Sequence, residues 1–208
     1  MKTLNVRNMR KARQAGFTII ELVVVILLLG ILTATALPRF MDVTDEAHAA
    51  IVDGVQGSLL TGAALFRAQW IAEGEVLGAA PGYGAGTLFP DATSTGYPTD
   101  VTDGILDDET ECTAIYNGLL QTGRPVAAAA TFSTTASTLE TAIEAAASAT
   151  TDFVITADAA TTPTGCILHY VGQFKSGNTT VPNTVPTLTY LTADGSVTAG
   201  TYTMNLAP

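Results

Sequence analysis

Glu21 stands four residues past a Gly-Phe step, inside a run from Phe17 to Leu37 that holds no other charge. A helix over that run would be about 30 Å long, enough to cross the hydrocarbon core of a bilayer. An ionised carboxylate at membrane depth costs roughly 2.5 to 3.5 kcal/mol on insertion scales, so Glu21 calls for a partner. Cys112 and Cys166 are the two cysteines of the chain. They lack the C-x-x-C spacing of a redox pair, which leaves a disulfide or two buried apolar thiols. Asp100, Asp103, Asp107, Asp108, Glu109 and Glu111 form an acidic cluster. Calcium favours such oxygen-rich loops, but EF-hand spacing is absent and a solvated charged loop is the competing reading. His48 and His169 are far apart and no Cys/His group has zinc-site spacing. Serine and threonine abound without a nucleophile-elbow motif, and no phosphate-binding glycine loop occurs. Neither an enzyme nor a cofactor is expected; the aromatics Phe17, Phe40, Phe66 and Trp70 read as packing groups.

The elements that must position these groups follow from charge and periodicity. Lys2, Arg7, Arg10, Lys11 and Arg13 precede the apolar run with no acid among them. The positive-inside rule places residues 1–16 in the cytoplasm and the chain beyond Pro38 on the far side of the membrane. A removed secretory signal is the alternative, although Pro38 sits unhelpfully beyond the small residues Ala34 and Ala36. Beyond the basic leader the chain keeps four basic side chains, Arg39, Arg67, Arg124 and Lys175, against all nineteen acids, of which only Glu21 precedes Pro38. That surface disfavours nucleic acid and suits a self-repelling soluble face. In an oxidising compartment the two cysteines favour the bridge.

Apolar residues continue at helical spacing through Phe40, Val43, Ala47, Ile51, Val55, Leu59, Ala63, Phe66 and Trp70, which predicts one helix over 17–71. Its first half is apolar all round and its second half amphipathic, so a lipid or subunit environment gives way to packing against a globular head. Pro38 predicts a kink or local melt, and Gly30 loosens the helix or permits close approach of another. Residues 72–208 form the head. Its Gly-rich start and residues 87–110 read as loop, 111–120 and 137–149 as helices, and 152–156, 166–171, 187–192 and 196–201 as strands. Asp194-Gly195 marks a hairpin turn between the last two. The head is therefore α+β, with an antiparallel sheet laid over the long helix.

Gly16-Phe17-Thr18-Ile19-Ile20-Glu21, the apolar run with Gly30 and Pro38 closing it, resembles the amino-terminal signature of type IV pilins and pseudopilins. The resemblance covers about residues 14–50 and implies the type IV pilin-like fold. It further implies a leader, 1–16, cut by a prepilin peptidase after Gly16, an N-methylated Phe17, and Glu21 as the assembly carboxylate. The new Phe17 ammonium of one subunit and Glu21 of another would then neutralise each other away from water. Desolvation offsets much of that attraction, but a misaligned neighbour leaves both charges unpaired, so the pair acts on register. Pairing of Glu21 within its own chain or with lipid is the alternative. Shorter matches, Gly96-Tyr97-Pro98-Thr99, Cys112 to Leu120 and Cys166 to Tyr170, with Pro38-Arg39-Phe40, resemble pilins of the mannose-sensitive haemagglutinin (MSHA) type. The sixteen-residue leader and a Thr/Ala-rich stretch around 127–162 depart from that group.

The resemblance implies a structural subunit, held by one helix in the inner membrane as a precursor and polymerising into an extracellular filament that mediates attachment. Its implied partners are itself, the peptidase, an inner-membrane platform protein and a cytoplasmic assembly ATPase. A type II secretion pseudopilin and a membrane-anchored binding protein that never polymerises are the alternatives.

Overall fold

The computed structural model describes residues 17–76, 79–83, 88–90, 95–100, 106, 108–130, 136–147, 150–158, 165–174 and 184–203; for residues 40–42, 100, 136–138, 144, 146–147 and 174 it describes the backbone alone. The chain divides into two compact units, Met1–Thr44 and Asp45–Pro208. Helix α1, Ile19–Ala72, begins in the first and ends in the second. It stays helical through Pro38. It ends where backbone sterics require: Gly74 adopts φ 95°, and its N–H bonds the Ile71 carbonyl at 3.1 Å while Glu75 N–H bonds the Trp70 carbonyl at 3.1 Å. This is the Schellman arrangement, which satisfies carbonyls that the last helical turn leaves open. The Glu73 carboxylate accepts from Gln69 Nε2 at 2.6 Å and from Gly82 N–H at 3.0 Å, and so ties down the loop that follows. Those two bonds, the Gln69 one first, hold its pKa below the ordinary glutamate value.

In the second unit, α1 buries Val52, Val55, Leu59, Ala63, Phe66 and Trp70. Their spacing of three and four residues places them along one stripe. Val43, Ala47 and Ile51, assigned to the same apolar face from the sequence, are exposed instead. The stripe that meets the head starts one residue later, at Val52, because a helix turns about 100° per residue and Ile51 therefore falls off its edge.

A five-stranded sheet lies against that stripe in the order β3-β4-β5-β6-β7, with β3 Ala127–Ala129, β4 Phe153–Ala157, β5 Gly165–Tyr170, β6 Thr184–Leu191 and β7 Val197–Thr203. Strand side chains alternate between faces. Phe153, Ile155, Cys166, Leu168, Tyr170, Leu188, Tyr190 and Val197 share the core with α1. On the other face Val154, Val171 and Val185 pack with Leu139 and Ile143 of α3, Ala136–Ala147. The sheet is antiparallel except at one edge, where β3 pairs in parallel with β4. The expected antiparallel sheet is present in β4 to β7, and β3 adds one parallel edge: α3 carries the chain back over the sheet between β3 and β4, the crossover that a parallel pair needs. Two very short strands, β1 Phe89–Pro90 and β2 Pro98–Asp100, pair within the stretch read as loop. The hairpin of β6 and β7 turns at Gly195, φ 67°, with Asp194 Oδ1 accepting from Ser196 N–H at 2.9 Å.

Helix α2, Glu109–Leu119, is capped by Asp108, whose carboxylate accepts from Thr110 N–H at 2.8 Å and Glu111 N–H at 3.0 Å. Such a cap is worth about 1 kcal/mol. A β-carbon on Gly62 of α1 would stand 2.9 Å from the Leu119 carbonyl, so the absent side chain is what lets α2 reach α1. Cys112 on α2 and Cys166 on β5 are bonded, with Cα atoms 5.4 Å apart and a sequence separation of 54. Closing a loop of that length stabilises by about 4 kcal/mol in the chain-entropy model. Replacing both cysteines by alanine is expected to lower the unfolding free energy of the detergent-solubilised chain by up to that amount, measured by denaturant titration.

The uncovered helix and its first-turn acid

Phe17 is 85% exposed and Thr18 precedes the first helical residue. Around them the first turn closes on itself. Thr18 N–H donates to Glu21 Oε2 at 2.9 Å, the Thr18 hydroxyl donates to the same oxygen at 2.9 Å, and Glu21 N–H donates to Thr18 Oγ1 at 3.3 Å. These reciprocal bonds are a capping box, the T-x-x-E pattern that satisfies two of the open N–H groups at a helix start. The helix dipole adds to it, since a carboxylate suits the first turn. Glu21 thus meets its own chain here, the alternative that the sequence left open beside pairing in trans. Thr18-Ile19-Ile20-Glu21 carried that signal in plain view, three residues apart.

Beyond the box, the apolar surface of α1 meets none of the described residues outside its own helix as far as Leu37. Ile19, Ile20, Leu22 and every large apolar residue through Leu37 are exposed, and none of the eighteen-residue window of mean hydropathy 2.7 is buried. By length and composition the helix can cross a membrane. Thr33 and Thr35 hydroxyls donate back to helix carbonyls, Thr33 to Leu29 at 2.8 Å and Thr35 to Leu32 at 3.0 Å, so neither presents an unsatisfied polar group to an apolar surrounding. Gly30 has nothing within 4 Å of where a β-carbon would stand, nor do Gly54 and Gly57 further along. Helix surface at these positions is open to close approach.

Of the other candidate residues, Gly16, Asp103 and Asp107 lie outside the described residues, as does the side chain of Asp100. Asp108 spends its carboxylate on the α2 cap. Among the described residues no three His, Cys, Asp or Glu side chains gather as a metal site would require. The histidines are structural in setting. His48 Nδ1 lies 2.8 Å from the Tyr170 hydroxyl, a contact between residues 122 apart in sequence that no spacing rule could have shown. His169 is 1% exposed on the outer face of β5, with Nε2 3.3 Å from Thr156 Oγ1, its ring edge-on to Tyr202, and Nδ1 without a hydrogen-bond partner among the described residues.

An uncovered amino-terminal apolar helix, its single acid in the first turn, a sheet over the second half of the same helix, and a disulfide inside the head make up a type IV pilin-like α+β fold. Residues 11–37 match the prokaryotic N-terminal methylation motif. The chain is 46% identical over 57 residues to the type IV narrow pilus major component PilA5 of Thermus thermophilus, a match covering 27% of this chain and 49% of that protein. It is 41% identical over 46 residues to the type II secretion system core protein G of Pseudomonas aeruginosa, covering 22% of this chain and 32% of that one. The chain thus spans half or less of the length of these curated relatives. No solved structure matches it. In its amino-terminal region the chain is thus similar to both type IV pilins and pseudopilins, and its fold is pilin-like.

Burial pushes the His169 pKa down to about 4, well under the ordinary value near 6.5. The folded head binds this proton less well than the unfolded chain does. Its contribution to stability is therefore complete above about pH 6.5 and is lost progressively as pH falls toward 4, by about 3 kcal/mol in all. His169→Leu is expected to remove that part of the pH dependence, seen as converging denaturant midpoints at pH 7 and pH 4.5 relative to the unaltered chain.

Proposed function

We propose that this chain is the precursor of a pilus filament subunit, cut after Gly16 and polymerised through α1. The observation that carries the reading is the uncovered apolar helix that starts immediately after Gly16-Phe17 with one acid in its first turn. Before assembly, a bilayer covers that surface and the capping box shields Glu21. After cleavage, a Phe17 ammonium stands at the helix start. A neighbouring Glu21 can leave Thr18 for that ammonium, and neighbouring helices replace lipid along Phe17–Leu37. Residues 17–37 are thus the membrane and assembly segment and 72–208 the exported head, with Pro38 and Gly30 giving α1 room to bend as it repacks.

The partners of this reading are further copies of the chain, a prepilin peptidase, an inner-membrane platform and an assembly ATPase. The short head matches point to the MSHA type and to surface attachment as the filament's use, with no enzymatic activity of the subunit itself. Similarity to the type II secretion protein supports a second reading, a pseudopilin of a periplasmic fibre. Exposed, sheared fibres belong to the first reading and not to the second.

Mass spectrometry of protein sheared from cells that process and assemble the chain is expected to find a terminus at N-methylated Phe17 in sedimentable fibres. Glu21→Ala is expected to leave the cut intact and to abolish the fibres. An uncut Met1 terminus confined to membranes, with Glu21→Ala behaving as the unaltered chain, would favour a membrane-anchored binding protein instead.

A further inference from the structure

The geometry points to an edge-to-edge strand contact between subunits, β7 of one copy against β3 of the next, resting on the self-assembly reading above. The first observation is the state of β7. It runs in unbroken register with β6 from Val197↔Tyr190 to Thr203↔Thr184 and, among the described residues, has no strand on its other side. Thr198, Ala199, Gly200 and Thr201 are exposed. Sheet edges are ordinarily blunted by charge, proline, a bulge or a cover. β7 carries no charged residue, no proline and no bulge within its register.

Its open hydrogen-bonding groups can be assigned from the ladder. Leu191 N–H donates to the Ser196 carbonyl, which makes 191 and 196 a bonded pair. Bonded and non-bonded pairs alternate along an antiparallel ladder, so Thr198, Gly200 and Tyr202 bond inward to β6 while Val197, Ala199, Thr201 and Thr203 point their N–H and carbonyl groups outward. Gln56 Nε2 of α1 donates to the Val197 carbonyl at 2.9 Å, as that parity requires, and closes the edge at its first residue. Ala199, Thr201 and Thr203 are left facing out.

The second observation is the opposite edge. β3 is the other end of the sheet, and its residues Ala127, Ala128 and Ala129 are likewise small and uncharged. The Val126 carbonyl accepts from Phe153 N–H and Ala130 N–H donates to the Ile155 carbonyl, so 126, 128 and 130 face β4 while Ala127 and Ala129 face outward. β3 runs parallel to β4, and β7 runs antiparallel to both by the chain of pairings between them. A second copy in the same orientation therefore presents β3 antiparallel to β7, the better ladder.

Register follows from the rows of the sheet. Ala129, Ile155, Leu168, Leu188 and Ala199 stand opposite one another across all five strands. Continuing that row places Ala199 against Ala129 of the partner subunit and Thr201 against Ala127 of the partner subunit. Both pairs have their groups pointing at each other, and side chains stay on their proper faces. In a chain with nineteen acids, these two uncharged edges let like-charged heads meet without apposing carboxylates. The contact joins different patches, so it propagates instead of closing a dimer, as a fibre requires.

The test uses the full chain in assembling cells. Thr198 and Ala130 of the partner subunit would form a non-bonded pair, with Cα atoms roughly 4.5 Å apart, within disulfide reach. In one copy the two lie on opposite edges and cannot meet. Thr198→Cys with Ala130→Cys is expected to give sheared fibres that run as disulfide-linked multimers and collapse to single subunits on reduction, whereas neither single variant does. Ala199→Pro removes an outward N–H and no β6–β7 bond, and is expected to lower fibre yield about tenfold. Fibres of the double-cysteine chain without multimers, together with undiminished yield from Ala199→Pro, would overturn the strand contact and leave the filament reading standing. Absence of fibres from the unaltered chain would overturn both.

Discussion

The constraint on which the rest depends is that α1 carries more apolar surface than its own chain covers. From Val52 to Trp70 the stripe is met by the sheet, by α2 and by the loop that Glu73 ties down. Burial of side chains such as Phe66 and Leu59 is worth about 1.5 to 3 kcal/mol each. From Phe17 to Leu37 nothing among the described residues answers the same demand. A water-exposed helix of that composition is not a stable end state, so bilayer or neighbour must complete it. The head packs on the second half of α1, within the same chain; the amino-terminal segment needs a second body.

Much of this was legible in the sequence because the signals are local. The apolar run, its lone acid, the Glu73-Gly74 helix end, α2, α3 and the β6–β7 turn all rest on residues within a few positions of each other, and most element bounds fell within two or three residues of those expected. What was not legible depends on contacts far apart in the chain. β3 is three alanines, with no strand preference of its own; pairing with β4 makes it a strand, a case of tertiary context overriding propensity. Its parallel direction is set by the path through α3 and not by its composition. β1 and β2 are two and three residues long, below any periodicity. The phase of α1 against the head could not be fixed to one residue while Ile51 and Val52 were equally apolar.

The candidate site divides in the same way. Glu21 and Phe17 are marked by spacing, and so is the capping box, although the depth of Glu21 in an apolar run drew attention from its distance to Thr18. Structure adds what spacing cannot: that Thr18 supplies two donors to the carboxylate, that Asp108 is committed to a helix end, and that His48 and Tyr170 meet. It adds as well that Gly62 is an approach point for α2, whereas Gly54 and Gly57 face open space. The glycines of α1 therefore divide between internal packing, at Gly62, and open surface, at Gly30, Gly54 and Gly57.

The bond between Cys112 and Cys166 has one more consequence, in mechanics. It fastens α2 to the central strand of the sheet and encloses α3, β3 and β4 within its loop. When such a chain is drawn out from its two ends, tension passes across the sulfur bridge and the enclosed 54-residue span stays slack. At about 3.5 Å per residue, nearly 190 Å of contour is withheld from extension. A head built this way gives ground under tension by peeling β6 and β7 on one side of the bridge and by drawing out the stretch before Cys112, β1 and β2 included, on the other, which makes it a short-travel element in whatever line of force it joins.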